Sequence, residues 1–241
     1  MSTKPNAWTL SPHLTAAPEL WRGCVFCAPF WESGGVPMDV ARNVRGTLAH
    51  GDPFWGTGPR GAESDHSLQG AWQFADDPRI TNLGDEFTSV VVIRHPINDL
   101  IFDFGYILGK NYGGSGTKWF YIAEDIAANI VRFYWDDGSD NHLLDASIPN
   151  DGEVHVLVQT NSVSNSIREG YVDGEIGVSG SAISGITNNG PVTIGERVDF
   201  SNNREYRGKI LFCAMWNRRL LPDEVKLISA DPFAMLRPAG F

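Results

Sequence analysis

Gly170-Tyr-Val-Asp-Gly-Glu-Ile-Gly177, Gly190-Pro-Val-Thr-Ile-Gly195, Tyr206-Arg-Gly-Lys-Ile-Leu-Phe-Cys-Ala-Met-Trp-Asn-Arg-Arg-Leu220 and Pro222-Asp-Glu-Val-Lys-Leu-Ile228 read, in order, as a hairpin, a short strand, a long strand and one closing helix. Asp173-Gly174 between short apolar-alternating runs favours a two-residue hairpin turn, because both residue types tolerate positive φ. From Ile210 the residues alternate. Ile210, Phe212, Ala214 and Trp216 point one way and Leu211, Cys213, Met215 and Asn217 the other. Both sets are mostly apolar, so this strand is expected to be covered on both faces. Pro222 suits the first turn of a helix, and Asp223 and Glu224 suit its positive end. Asp231-Pro232 then stops it, because a residue before proline avoids the helical region.

On these residues the chain resembles the laminin-G-like, concanavalin A-like jelly rolls. The shared pattern is the Val-Asp-Gly hairpin, a Gly-ended strand, then G-x-I-x-x-x-x-x-x-N-R-x-L and a short helix that starts with acids. Gly208, Ile210, Asn217, Arg218 and Leu220 match it. Leu221 departs, since the family usually has Ser or Thr as the cap, at a cost of about 1 kcal/mol. The resemblance implies an all-β fold, a two-sheet antiparallel jelly-roll sandwich with one short C-terminal helix. It also implies that the first and last strands are neighbours. Asp39, Asn43 and Gly46 loosely match an Asp, polar turn and Gly found near the start of such domains. The closing Ser229-Ala-Asp-Pro-Phe-Ala-Met-Leu-Arg-Pro238 resembles the tail of laminin-G-like proteins encoded by phages and prophages.

The rest of the chain agrees with a sandwich. Short strands are expected over Trp21–Trp31, 71–74, 87–95, 100–108, 119–123, 130–135, 142–145, 153–159 and 167–172, at fairly even spacing. At 241 residues one domain suffices. The organisation expected is an extended arm over 1–20, a jelly-roll domain over 21–233 and a tail over 234–241. The arm carries Pro5, Pro12 and Pro18 among small polar residues, and Trp8 and Leu10 are its candidate docking residues. It is read either as a strap along the domain or as an arm for a partner.

Charge narrows the partners. Nineteen Lys and Arg against 29 Asp and Glu leave a net charge of −10. That argues against nucleic acid and against anionic membranes as partners. No signal peptide and no long apolar run are visible. Cys24 and Cys27 form a lone C-x-x-C on an expected strand, on opposite faces, with Cys213 the third thiol. They are read as buried free thiols, one of them near Cys213.

No catalytic set emerges. A pair of flanking carboxylates would be needed for glycoside hydrolysis, and Glu169, Asp173 and Glu175 have the wrong spacing, with Asp173 committed to its turn. His142 and His155 are expected on neighbouring strands, without a zinc-binding spacing. Two candidate binding sites remain. Trp119, Tyr121, Tyr134 and Trp135 fall on adjacent strands, with Tyr112 in the preceding loop, and could present flat rings to a sugar or pack internally. Asp136, Asp137 and Asp140 concentrate oxygens in one turn that could hold calcium, or could be ordinary turn residues. No cofactor is required; calcium is the one the composition allows.

The function expected is non-catalytic binding or assembly. The leading expectation is a virion structural protein, a phage capsid decoration or fibre-type protein made in the host cytoplasm. Its partner would be a viral shell protein or further copies of itself. The alternative is a carbohydrate-binding lectin module, cytoplasmic or extracellular and assisted by calcium or not, with a glycan as partner. A glucanase-like enzyme is the least favoured.

Overall fold

The computed structural model describes residues 15–30, 36–50, 54–55, 62–63, 71–94, 104–110, 118–125, 127–197, 205–206 and 208–237. Nineteen strands are described among them. In chain order they are β1 (Cys24–Ala28), β2 (Met38–Asp39), β3 (Val44–Arg45), β4 (Thr47–His50), β5 (Phe54–Trp55), β6 (Ala62–Glu63), β7 (Ala71–Phe74), β8 (Asn82–Gly84), β9 (Glu86–Arg94) and β10 (Gly105–Lys110). They continue as β11 (Trp119–Asp125), β12 (Ile130–Asp136), β13 (Asn141–Ser147), β14 (Val154–Ser162), β15 (Ile167–Val172), β16 (Glu175–Gly180), β17 (Ile186–Thr187), β18 (Val192–Ile194) and β19 (Lys209–Trp216). Two α-helices are described, α1 (Pro78–Thr81) and α2 (Pro222–Ala230).

Two antiparallel sheets carry the fold, as expected from the sequence. One has eight strands in the order β16-β15-β14-β9-β19-β6-β5, with β1 also paired to β19; the other runs β13-β12-β11-β10-β18-β7-β4. The first and last long strands are therefore neighbours, and Ala28 lies opposite Cys213. Between the sheets lies the main core, which includes Phe26, Phe74, Phe87, Val91, Ile107, Phe120, Phe133, Trp135 and Met215.

The decisive stretch folds largely as its residues dictate. Asp173 and Gly174 have φ of 53° and 86° and close the hairpin between β15 and β16. Helix α2 begins at Pro222 and ends at Ala230, just before Asp231-Pro232. Leu221 has no acceptor to give as a cap, but its own N–H donates to Glu224 at 2.9 Å, so half of a capping box survives. The alternation expected for β19 fails at one place. A bulge between Ile210 and Phe212 turns Ile210 inward beside Cys213 and Met215, while Phe212, Ala214 and Trp216 face outward. A second bulge, between Cys24 and Phe26, corrects the reading of the cysteines. Cys24 and Cys27 lie on the same, outer side of the sheet, not on opposite faces. Burial pushes the thiols of Cys27 and Cys213 well up, as befits unreactive core groups.

The outer face of the eight-stranded sheet is sealed by the chain itself. Val90, Val92, Val156, Val158, Phe212 and Trp216 meet Val225 and Ile228 of α2, together with Leu20 and Met235. Residues 15–20, assigned to the arm by sequence, thus run packed along the domain, and Ala234–Leu236, assigned to the tail, are buried with them. Trp216 Nε1 donates to Leu20 O at 2.6 Å, and Ala16 N–H donates to Arg237 O at 2.8 Å. The two ends of the described chain therefore lie side by side. Trp8 and Leu10 lie outside the described residues.

Candidate functional site

The outer face of the seven-stranded sheet is built differently. Residues 119, 121 and 123 of β11 alternate outward, and Tyr134 is opposite Tyr121 in register, so the two rings share one face. They stack at 4.4 Å between centroids with only 6° between planes. Trp119 lies 4.6 Å from Tyr134, and Tyr106 of β10 lies 4.4 Å from Tyr121. Trp119, Tyr134, Tyr121 and Tyr106 thus form one continuous row. Trp119 Nε1 donates to Asp136 Oδ2 at 2.8 Å, and the Tyr134 hydroxyl donates to Asn141 Oδ1. Burial, with neighbouring Tyr106, pushes the Tyr121 phenol far up; burial and Asp136 do the same to Tyr134. These phenols stay protonated and remain donors.

The structure corrects the aromatic set in two ways. Trp135 is not part of the row: one residue on from Tyr134, it points inward into the core and is fully buried. The rings in the row also spend their faces on one another. Each of the four keeps under a tenth of its surface, so they do not lie flat and open. Tyr112 lies outside the described residues.

The acidic turn is spent largely on holding itself. Asp137 Oδ1 accepts from Ser139 N, Ser139 Oγ and Asp140 N at 2.7–2.9 Å, and Asp137 Oδ2 faces His142 Nε2 at 3.1 Å. These bonds hold the Asp137 carboxyl far below the usual carboxylate range. Asp136 Oδ1 accepts from Gly138 N at 2.7 Å while its other oxygen takes Trp119. Among the described residues no three His, Cys, Asp or Glu side chains gather as a metal-holding group.

The remaining polar candidates are structural. Glu169 is buried and accepts from Arg219 Nη2 at 2.6 Å and the Tyr171 hydroxyl at 2.7 Å. Asp173 is held by Val156 N at 2.8 Å and His155 Nδ1 at 2.7 Å, so Glu169, Asp173 and Glu175 form no flanking carboxylate pair. His142 and His155 do not neighbour each other as expected, since β13 and β14 belong to different sheets. Asp39, Asn43 and Gly46 do form a tight corner. Asp39 Oδ1 accepts from Cys27 N at 2.8 Å and Ala41 N at 3.0 Å. Asn43 has φ 57°, and a Cβ on Gly46 would come within 3.1 Å of the Phe74 ring.

Two buried arginines escaped the sequence reading. Arg42 pairs with Asp39, donates Nη1 to Ala75 O at 3.0 Å and lies 5.5 Å from the Phe26 ring. Arg168, from β15, lies 4.6 Å from the Trp135 ring between the sheets, and its Nε and Nη1 are buried without an acceptor. The only sequence signal for Arg168 is its place one residue before Glu169, on the face that Gly170 and Val172 also occupy.

With fold and site described, comparison with solved structures agrees with the two-sheet β-sandwich fold. No protein-family model matches the sequence, and no curated protein matches it. Solved structures do. The binding domain of Paraclostridial Mosquitocidal Protein 1 aligns with a TM-score of 0.67 at 18% identity, over 89% of this chain and 53% of that one. Botulinum neurotoxin type C, in a structure concerning its dependence on two ganglioside molecules for cell entry, gives 0.67 at 11% identity over 89% and 52%. Trypanosoma rangeli sialidase in complex with a difluorinated keto-deoxy-nononic acid gives 0.65 at 18% identity over 89% and 33%. The chain thus spans between a third and about half of the chains it resembles. No helix among the described residues is long and apolar enough to cross a membrane.

Proposed function

We propose that this chain is a non-catalytic glycan-binding module whose ligand meets the outer face of the seven-stranded sheet. The observation that supports it best is the row Trp119–Tyr134–Tyr121–Tyr106, with Asp136 and Asn141 bonded into its polar side. Packed aromatic bodies fix the polar groups with little entropy left to lose, and sugars are recognised by such convergent donors and acceptors. The neighbours' gangliosides and sugar acids are consistent with this class of ligand. A glycan panel tests it. Binding that falls at least tenfold in Tyr134→Phe, with folding intact, supports the reading. Unchanged binding in Tyr134→Phe and Trp119→Ala, or no glycan bound at all, overturns it. Repeating the panel with a chelator tests calcium through Asp136, Asp137 and Asp140.

A second reading, assembly on a virion shell, draws on the paired ends of the described chain. Ala16 and Arg237 are bonded to each other, so segments 1–14 and 238–241 join the domain at one place. A single docking point there would leave the seven-stranded sheet free. Density-gradient sedimentation with shell particles tests this. Co-migration lost on deletion of residues 1–14, which carry Trp8 and Leu10, supports it; free protein at the top of the gradient overturns it.

A further inference from the structure

The edge where the sheets close on each other, between β13 of one and β15–β16 of the other, is built to an unusual pattern. Glycines let the backbones approach: a Cβ on Gly170 would come within 2.3 Å of the Phe133 ring, and one on Gly177 within 2.8 Å of Ala146. Into this edge β15 projects Arg168, with only 5% of its surface exposed. The guanidinium stacks on Trp135 at 4.6 Å. Its Nε and Nη1 have no acceptor, and neither has the buried Trp135 Nε1. Three donors thus occupy one stack, with none of them bonded among the described residues. A buried cation normally carries a carboxylate, as Arg42 carries Asp39 and Lys110 carries Asp76. Arg168 has none among the described residues. Burial alone pulls its pKa down to about 10, with no nearby acid to raise it, and it remains charged at neutral pH.

The guanidinium lies against Gly180. Gly180, paired with Arg168 across β15 and β16, is partly exposed and has no side chain to cover the guanidinium. A Cβ there would sit 3.2 Å from Arg168 Nη2 and 3.2 Å from Leu144. His142 lies opposite Trp135 in register and is partly exposed on the same rim.

We propose that Arg168 and Trp135 form an anion-binding site at this closed edge, which takes the oxyanion of a small ligand, a carboxylate or a phosphate. The guanidinium fork and the indole N–H supply donors matched to such oxygens. Trp135 gives the cation a face to rest on while the site is empty. This site lies inside the sandwich edge, on the opposite side of β12 from the aromatic row, and does not depend on the glycan reading of that row.

Three probes of similar size separate the sources: glucuronic acid, glucose 6-phosphate and glucose. Each is titrated into the full chain, with thermal unfolding and the indole N–H resonance of Trp135 as readouts. That resonance is identified by its loss in Trp135→Phe. The expected result is that at least one acid raises the Tm and shifts the Trp135 signal at matched ionic strength, while glucose does neither. A response to glucuronic acid alone marks an acidic sugar as the source, one to glucose 6-phosphate alone marks a phosphorylated ligand, and a response to both marks the oxyanion itself. Arg168→Met should weaken the acid at least tenfold. No effect of either acid beyond sodium chloride overturns the proposal in the unmodified protein, and so does undiminished binding by Arg168→Met.

Discussion

Arg42 and Arg168 occupy two regions of one core, and they have been solved in opposite ways. Both are more than nine-tenths buried, and both have a guanidinium against an aromatic ring. Arg42 is held in the corner between β2 and β3 by Asp39, whose other contacts are backbone N–H groups of Cys27 and Ala41. Burial raises the Asp39 pKa, and Arg42 with the backbone donors opposes that rise. Arg168 has the ring and, among the described residues, no acid. A paired charge inside a protein serves structure, because removing either partner strands the other. An unpaired one is held by its ring alone, and its donors are left to a ligand.

The largest test of that contrast is Asp39→Ala. It strands Arg42 and unties the corner, and should cost about 3–5 kcal/mol by denaturant unfolding. A loss below about 1 kcal/mol would mean that Arg42 does not need its acid, and the contrast with Arg168 would collapse. Gly170→Ala separates packing from charge at the Arg168 edge. The new methyl meets Phe133, and overpacking of this kind should cost about 1–3 kcal/mol without altering any ion pair.

His155 offers an intermediate case, a buried ring between Asp173 at 2.7 Å and Asp151 at 3.0 Å. Burial disfavours its charged form, but the two carboxylates outweigh burial and its pKa is raised. A raised folded-state value means stabilisation present in full below the unfolded pKa of about 6.5. It is lost as pH rises through the folded value. His155→Gln should therefore cost about 1–2 kcal/mol at pH 6 and less at pH 9. A difference that grows with pH would contradict the pairing. The smallest effect is expected from Arg168→Met, which should change stability by less than about 1 kcal/mol or raise it. A loss near that of Asp39→Ala would make Arg168 a structural residue like Arg42.

Much of the fold was legible. The Asp173-Gly174 turn, the start of α2 at Pro222 and its stop before Pro232 are local chemistry, and each is where the residues place it. The two-sided apolar character of β19 correctly implied cover on both faces. The site was less legible. Trp119, Tyr121 and Tyr134 are legible as aromatics on adjacent expected strands, and register brings them to one face. Adjacent strands alone also admit Trp135, which points the other way because neighbouring residues of a strand face opposite sides. His142 and His155 were paired by strand order, which does not say which sheet a strand joins. The bulges at Cys24–Phe26 and Ile210–Phe212 each add a residue without any glycine or proline to announce it.

The sequence by itself determined the class of fold, the decisive hairpin and helix, and the acidic surface, because these depend on turn chemistry, periodicity and charge count. Only the tertiary structure decided which alternate face became core, that residues 15–20 and 234–236 seal one sheet, and that Arg168 lies on Trp135 with no acid among the described residues. Those facts depend on residues far apart in the chain meeting in space. Arg168 and Trp135 are brought together across two sheets, and no local pattern of either strand records which partner the other sheet will present.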